Sequence, residues 1–239
     1  MLFRQLFDAE TCTFTYLLAD ESSREAVLID SVIEQSERDA QLIRDLGLTL
    51  KYLIETHVHA DHITAVARLK AAFPHAKSVY NACAGVDTPD LLVKDGDTLQ
   101  FGRHTLKVLY TPGHTDACTS FQIGDKVFTG DALLIRGCGR TDFQQGDPGR
   151  LYDGITGKIF TLPDHFLIYP GHDYNGFTNS TVGEEKTLNP RLAGKSRAQF
   201  VALMNGLKFP YPKRIDVALP ANLKCGVVDM GGELKLSAG

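Results

Sequence analysis

Short apolar runs broken by turn residues occupy most of the chain up to Gly176. Thr13 to Leu18, Glu25 to Asp30 and Lys51 to Glu55 are rich in β-branched and aliphatic side chains and read as strands. Between them, Ser36 to Leu46 carries Leu42, Ile43 and Leu46 at helical spacing and is expected to be a helix ending at Gly47. Ile63 to Phe73 repeats that spacing through Ile63, Val66 and Leu69, and Pro74 stops it. Further strands are predicted at Ser78 to Tyr80, Thr98 to Phe101, His104 to Tyr110, Thr119 to Ile123, Lys126 to Thr129 and His165 to Tyr169. Tight turns at Gly102 and at Gly124-Asp125 predict two antiparallel hairpins. Beyond Gly176 the texture changes. Val182 to Gly206 places Leu188, Leu192, Phe200, Leu203 and Met204 at mostly helical spacing, and Pro190 divides it into two helices. Pro210, Pro212 and Pro220 predict an extended tail lying over the core. Two groups of strands, each followed by helix, predict a two-sheet α/β sandwich with helices outside. The expectation is one domain over residues 1–239, with the tail from about 180 covering it.

Composition narrows the function classes. With 239 residues, 43% of them hydrophobic, the chain can bury one sizeable core. A formal charge of -4 offers no basic excess to grip a nucleic-acid backbone. Apolar runs such as Ala26 to Ile29 are far too short to cross a bilayer, so no membrane span is expected. Met1 to Glu10 lacks the features of a secretory signal. The five cysteines (Cys12, Cys83, Cys118, Cys138 and Cys225) are odd in number, widely spaced and without a CxxC pair. They read as thiols of a reducing compartment, with the cytoplasm as the expected location.

Candidate chemistry concentrates at strand ends. In Glu55-Thr56-His57-Val58-His59-Ala60-Asp61-His62, the two-residue spacing of His57 and His59 points both imidazoles to one side of an extended chain. A turn at Asp61 and His62 then brings a carboxylate and a third imidazole back toward them. Three later residues share a strand–glycine–ligand context: His114 after Pro112-Gly113, Asp131 after Thr129-Gly130, and His172 after Pro170-Gly171. Any one of these is ordinary in a turn; the recurrence together with the first cluster points to a metal site. His75, His104 and His165 lack that context and read as surface or packing residues.

The runs THVHADH, TPGHT, TGDAL and YPGHD, in order across residues 1–180, resemble the metallo-β-lactamase superfamily. The resemblance implies an αβ/βα four-layer sandwich of two mixed sheets, with the metal cleft at one edge. Members hydrolyse thioesters, lactams and nucleic acids, and some do redox chemistry, so fold alone does not select a reaction. Leu133 to Gln144 (LLIRGCGRTDFQ) and the tail segments Phe209 to Asp216 and Leu219 to Asn222 resemble the persulfide dioxygenase branch. The related glutathione thioester hydrolases (the glyoxalase II branch) usually follow a similar glycine loop with aromatic and acidic residues. They also carry a longer helical C-terminal domain.

That resemblance implies one Fe(II) per chain held by His57, His114 and Asp131, with His59, Asp61, His62 and His172 arranged around it. Two imidazoles and one carboxylate leave positions for a substrate and O2 together. The implied reaction oxidises glutathione persulfide with O2 and water to sulfite and glutathione, in sulfide detoxification or sulfur metabolism. All seven ligand-type residues of a dinuclear hydrolase are present, so a two-metal hydrolase of a glutathione thioester is the alternative. A metal-binding structural relic is a third reading, disfavoured by a complete ligand set drawn from distant positions. Glutathione carries two carboxylates, which makes Arg140, Tyr174 and Arg214 the expected substrate-binding residues. Cys138, between two glycines and beside Arg136 and Arg140, reads either as a small loop residue or as an acidified thiol. Family members often dimerise, which leaves a homodimer open, although no interface stripe stands out in the sequence.

Overall fold

A computed structural model of the protein describes residues 1–228. The first sheet contains β1 (Leu2–Asp8), β2 (Thr13–Ala19), β3 (Glu25–Ile29), β4 (Thr49–Ile54), β5 (Lys77–Asn81) and β6 (Leu91–Val93), hydrogen-bonded in that order. Its pairs are antiparallel as far as β3 and parallel from there on. The second sheet contains β7 (Thr98–Phe101), β8 (His104–Tyr110), β9 (Thr119–Ile123), β10 (Lys126–Gly130), β11 (Leu167–Pro170) and β12 (Ser180–Thr181). They run in sequence order across the sheet, with β10 and β11 the parallel pair. Both predicted hairpins form, β7 with β8 and β9 with β10.

The strand period explains the layers. On β2, Phe14, Tyr16 and Leu18 point into the space between the sheets, where they meet Phe121, Phe128 and Tyr169. Leu17 and Ala19 point the other way, onto Ala40 and Ile43 of α1 (Ser36–Asp45) and Val66 and Leu69 of α2 (Val66–Ala72). Every residue of β2 is buried because both its faces are covered. Outside the second sheet, Leu109, Val127 and Ile168 pack under α3 (Pro148–Gly154), α4 (Val182–Leu188) and α5 (Arg197–Gly206). The result is helix, sheet, sheet, helix.

Several elements depart from the apolar pattern. The helix expected from Ile63 begins only at Val66, because the backbone before it is bonded elsewhere: Ile33 N–H donates to the Ile63 carbonyl and Thr64 N–H to the side chain of Asn222. The pattern does not reveal α3, which starts at an Asp147 cap followed by Pro148 and continues into a π-turn over Ile155–Ile159. Nor does it reveal the edge strand β1. The tail is not extended throughout. Ile215, Ala218 and Ala221 recur every three residues and are buried on one helix, α6 (Ile215–Asn222), where Ala218 and Ala221 pack with Ile33 and Ile63 despite Pro220. The end of the expected tail, 229–239, lies outside the described residues. Among the described residues no helix is long and apolar enough to cross a membrane.

Candidate metal centre

The ligand-type residues lie just beyond the C-terminal ends of β4, β8, β10 and β11, at one edge of the sandwich. Two glycines make the convergence sterically feasible. Gly130 has φ +50°, and a Cβ there would lie 2.4 Å from Thr56 Oγ1; at Gly113, with φ +136°, a Cβ would strike the backbone of Leu151 in α3.

His57, His114 and Asp131 each offer one ligand atom, and the three atoms lie within 4.8 Å of one another. In each residue the far atom is already committed. Thr56 donates its hydroxyl proton to Asp30 Oδ2 (2.8 Å), so its oxygen, 3.0 Å from His57 Nδ1, accepts from that nitrogen. Nδ1 of His114 donates to the backbone carbonyl of Arg140 at 2.7 Å. Asp131 Oδ1 accepts from His172 Nδ1 at 2.7 Å. Nε2 of both histidines and Oδ2 of the aspartate are left as the atoms open to a cation; the His114 and Asp131 atoms stand 3.7 Å apart. Burial holds the His57 pKa well below the usual histidine range, so the ring is a neutral donor. Burial tends to raise the Asp131 pKa, but His172, His114 and His57 outweigh it and keep the carboxyl ionised. Two imidazoles and a carboxylate with fixed tautomers are a donor set suited to a divalent transition metal.

His59, Asp61, His62 and His172 flank this group. His59 Nε2 lies 3.2 Å from both Asp30 Oδ1 and Glu55 Oε2. Burial opposes protonation of His59, yet those carboxylates push its pKa up to about 10. Asp61 Oδ2 lies 3.0 Å from His62 Nδ1 and 2.9 Å from His172 Nε2. His172 therefore has a carboxylate on each ring nitrogen, and although buried its pKa stands well above the usual value. Atoms of His59, Asp61 and His62 also fall within 4.8 Å of one another, and His59 Nδ1 and His62 Nε2 are buried without a partner. The geometry thus offers a complete three-donor face with a second polar group beside it.

A cleft of about 350 Å³ opens over Asp131 and His114. Arg140 lines it, but its guanidinium grips Asp142 with two bonds (2.7 and 2.8 Å) and donates a third to the Pro210 carbonyl. Tyr174 also lines the cleft, is 68% exposed, and stacks on His172 with ring centroids 6.0 Å apart. Arg214 does not line it. Its guanidinium is paired with Glu34 at 2.6 Å and faces Glu10 at 3.6 Å. Cys138 lines the cleft as a buried thiol whose pKa is raised by that burial, so the acidified reading fails. Residues that sequence reasoning missed include Arg191, which lines the cleft with no carboxylate pairing it among the described residues, and Phe209, flanked by Arg140 and Arg191. No motif marks Arg191, and Phe209 opens the tail segment whose resemblance gave it no role of its own. Asp30 and Thr56, which orient His57, sit next to predicted strand ends and carried no separate signal.

The sequence profile of the metallo-beta-lactamase superfamily matches residues 13–82 and 83–172. The chain is 55% identical over 229 residues to the human protein named persulfide dioxygenase ETHE1, mitochondrial, covering 95% of this chain and 89% of that one. The crystal structure of ETHE1 from Myxococcus xanthus superposes with a TM-score of 0.93 at 52% identity, over 95% of this chain and all of the other. A hydroxyacylglutathione hydrolase of Francisella tularensis subsp. novicida is 36% identical over 163 residues, 67% of this chain and 63% of its own length.

Proposed function

The chain belongs to the metallo-β-lactamase superfamily, and from that premise we propose that it is a persulfide dioxygenase with one ferrous iron at His57, His114 and Asp131. The observation that carries this reading is a 55% identity to a persulfide dioxygenase that runs through nearly the whole of both chains. The thioester hydrolase matches only two thirds of this chain, at lower identity.

The three donors fit such a metal, since each presents a free atom to a common point while its other polar atom is held by the protein. Bound there, ferrous iron supplies open coordination positions and the capacity to pass electrons between sulfur and O2. The residues do the rest. Thr56, the Arg140 carbonyl and His172 fix ligand orientation. Asp61 steadies His62 and His172 through its carboxylate. Arg191 draws a carboxylate of the thiol carrier into the cleft, Arg140 braces the glycine loop through Asp142 and the Pro210 carbonyl, and Phe143 and Phe209 give the cleft apolar walls that limit water. The balanced reaction converts glutathione persulfide, O2 and water to glutathione, sulfite and two protons. Glutathione as the carrier, a cytoplasmic location, the absence of nucleic-acid and membrane partners and a single domain carrying the whole reaction belong to the same proposal.

The deciding experiment is O2 uptake by anaerobically purified, ferrous-loaded protein on adding glutathione persulfide. Rapid uptake with stoichiometric sulfite is the expected result. No uptake at full iron occupancy would overturn the reading and make a glutathione thioester, with zinc or mixed metals, the next trial.

A further inference from the structure

Asn222, in the last turn of α6, is 2% exposed and spends its whole side chain on the loop that carries His59, Asp61 and His62. Its Nδ2 donates to the His59 carbonyl at 2.9 Å and the His62 carbonyl at 2.8 Å, and its Oδ1 accepts from Thr64 N–H at 2.9 Å. One amide thus closes two carbonyls three residues apart and the Thr64 N–H beyond them, which sets the radius of the turn between β4 and α2. The residues after it are docked on the same segment. Ala67 N–H donates to the Cys225 carbonyl at 3.1 Å, and Gly226, with φ +78°, lies so close that a Cβ would come within 2.3 Å of the Thr64 carbonyl oxygen.

We infer that Asn222 is a positioning residue for the metal centre: its amide is the side-chain clamp by which the C-terminal helix shapes the loop that runs on from His57 through His62. An amide is required because the site needs two donors and one acceptor. An aspartate of the same shape would turn an oxygen toward two carbonyl oxygens, and an alanine would leave all three buried backbone groups without this partner. Outer partners that orient ligand-bearing groups commonly alter metal affinity by about 10- to 100-fold. The clamp rests on the metal-site reading above, but not on which reaction the metal performs.

The test compares ferrous-loaded parent, Asn222→Asp, Asn222→Ala and Val217→Ala, the last a 63% exposed residue of the same helix. Transfer of iron to a ferrous chelator should be about tenfold faster or more in both Asn222 variants. The electron paramagnetic resonance spectrum of their nitric oxide adduct should change shape, with Val217→Ala unchanged in both measurements. A lower melting temperature with unaltered chelation rate and spectrum would make Asn222 merely structural and overturn the inference. Should neither Asn222 variant fold, hydrogen exchange at the Thr64 amide of the loaded parent decides: protection is expected, and free exchange overturns the clamp. A parent that takes up no iron would sink the dioxygenase reading instead, and the same comparison with zinc would still test the clamp.

Discussion

Nδ1 of His114 donates to the backbone carbonyl of Arg140 across 2.7 Å, which leaves Nε2 of that ring facing Asp131. The glycine loop therefore reaches the metal site with its backbone as well as with its side chains. Gly139 is the point of closest approach: a Cβ there would lie 2.4 Å from the Asp131 carbonyl oxygen and 2.7 Å from His114 Cγ.

Gly139→Ala should accordingly push the loop off both His114 and Asp131. Metal affinity is expected to fall by about 10-fold or more, read as iron per chain after reconstitution and gel filtration. Retention of full iron would show that the loop does not control His114.

The ligand assignment separates neighbouring histidines. His57→Ala and His114→Ala should each abolish iron retention, whereas His59→Ala, whose Nε2 faces Asp30 and Glu55, should keep near one iron per chain with a weakened signal. Metal analysis of the three variants side by side checks this. Equal loss in all three would place His59 on the metal.

In the cleft, Arg140 is spent on Asp142 while no carboxylate pairs with Arg191 among the described residues. Arg191→Ala should raise KM for glutathione persulfide about tenfold with iron content unchanged, in keeping with loss of a charge-assisted contact. Arg140→Ala should raise it too, by releasing the Pro210 segment as well as a positive charge. Steady-state kinetics at fixed O2 would show which arginine matters more.

The Tyr16 hydroxyl donates to the Pro170 carbonyl at 2.6 Å, inside the inter-sheet core and two residues before His172. Tyr16→Phe leaves that buried carbonyl without its partner and should cost about 1–3 kcal/mol in urea unfolding. A change near zero would mean that another donor reaches Pro170.

Acid should act through Asp90. Burial tends to raise its pKa, but the Lys70 ammonium and the Ser78 backbone N–H and hydroxyl hold it down at about 2, against 3.8 for a free side chain. A carboxyl depressed in the folded state contributes stability above 3.8, and that contribution is lost as pH falls toward 2. Asp90→Asn should therefore lie below the parent in melting temperature near neutrality and converge with it over that acid window. Parallel curves down to acid pH would remove Asp90 as the cause.

Much of the site could be read from residue order. The strand–glycine–ligand repeats ending at His114, Asp131 and His172 are local: a strand aims its end, a glycine turns the chain, and the next side chain is a donor. The paired helices after Gly176 and both hairpins were legible for the same reason, since periodicity and turn chemistry act over a few residues. The late start of α2 and the helical tail were not. Both depend on bonds between segments that periodicity never compares, and Asn222 is 163 positions from His59.

By itself, the order of residues determined which donors exist, which strand ends carry them and to which family the chain belongs. Tertiary structure alone decided which atom of each donor is free, that Arg214 pairs with Glu34 outside the cleft, and that burial raises the Cys138 thiol pKa. The division is physical. Side-chain chemistry and backbone turning are properties of short stretches. Hydrogen-bond partners, charge pairing and desolvation depend on what the folded chain brings within a few ångströms.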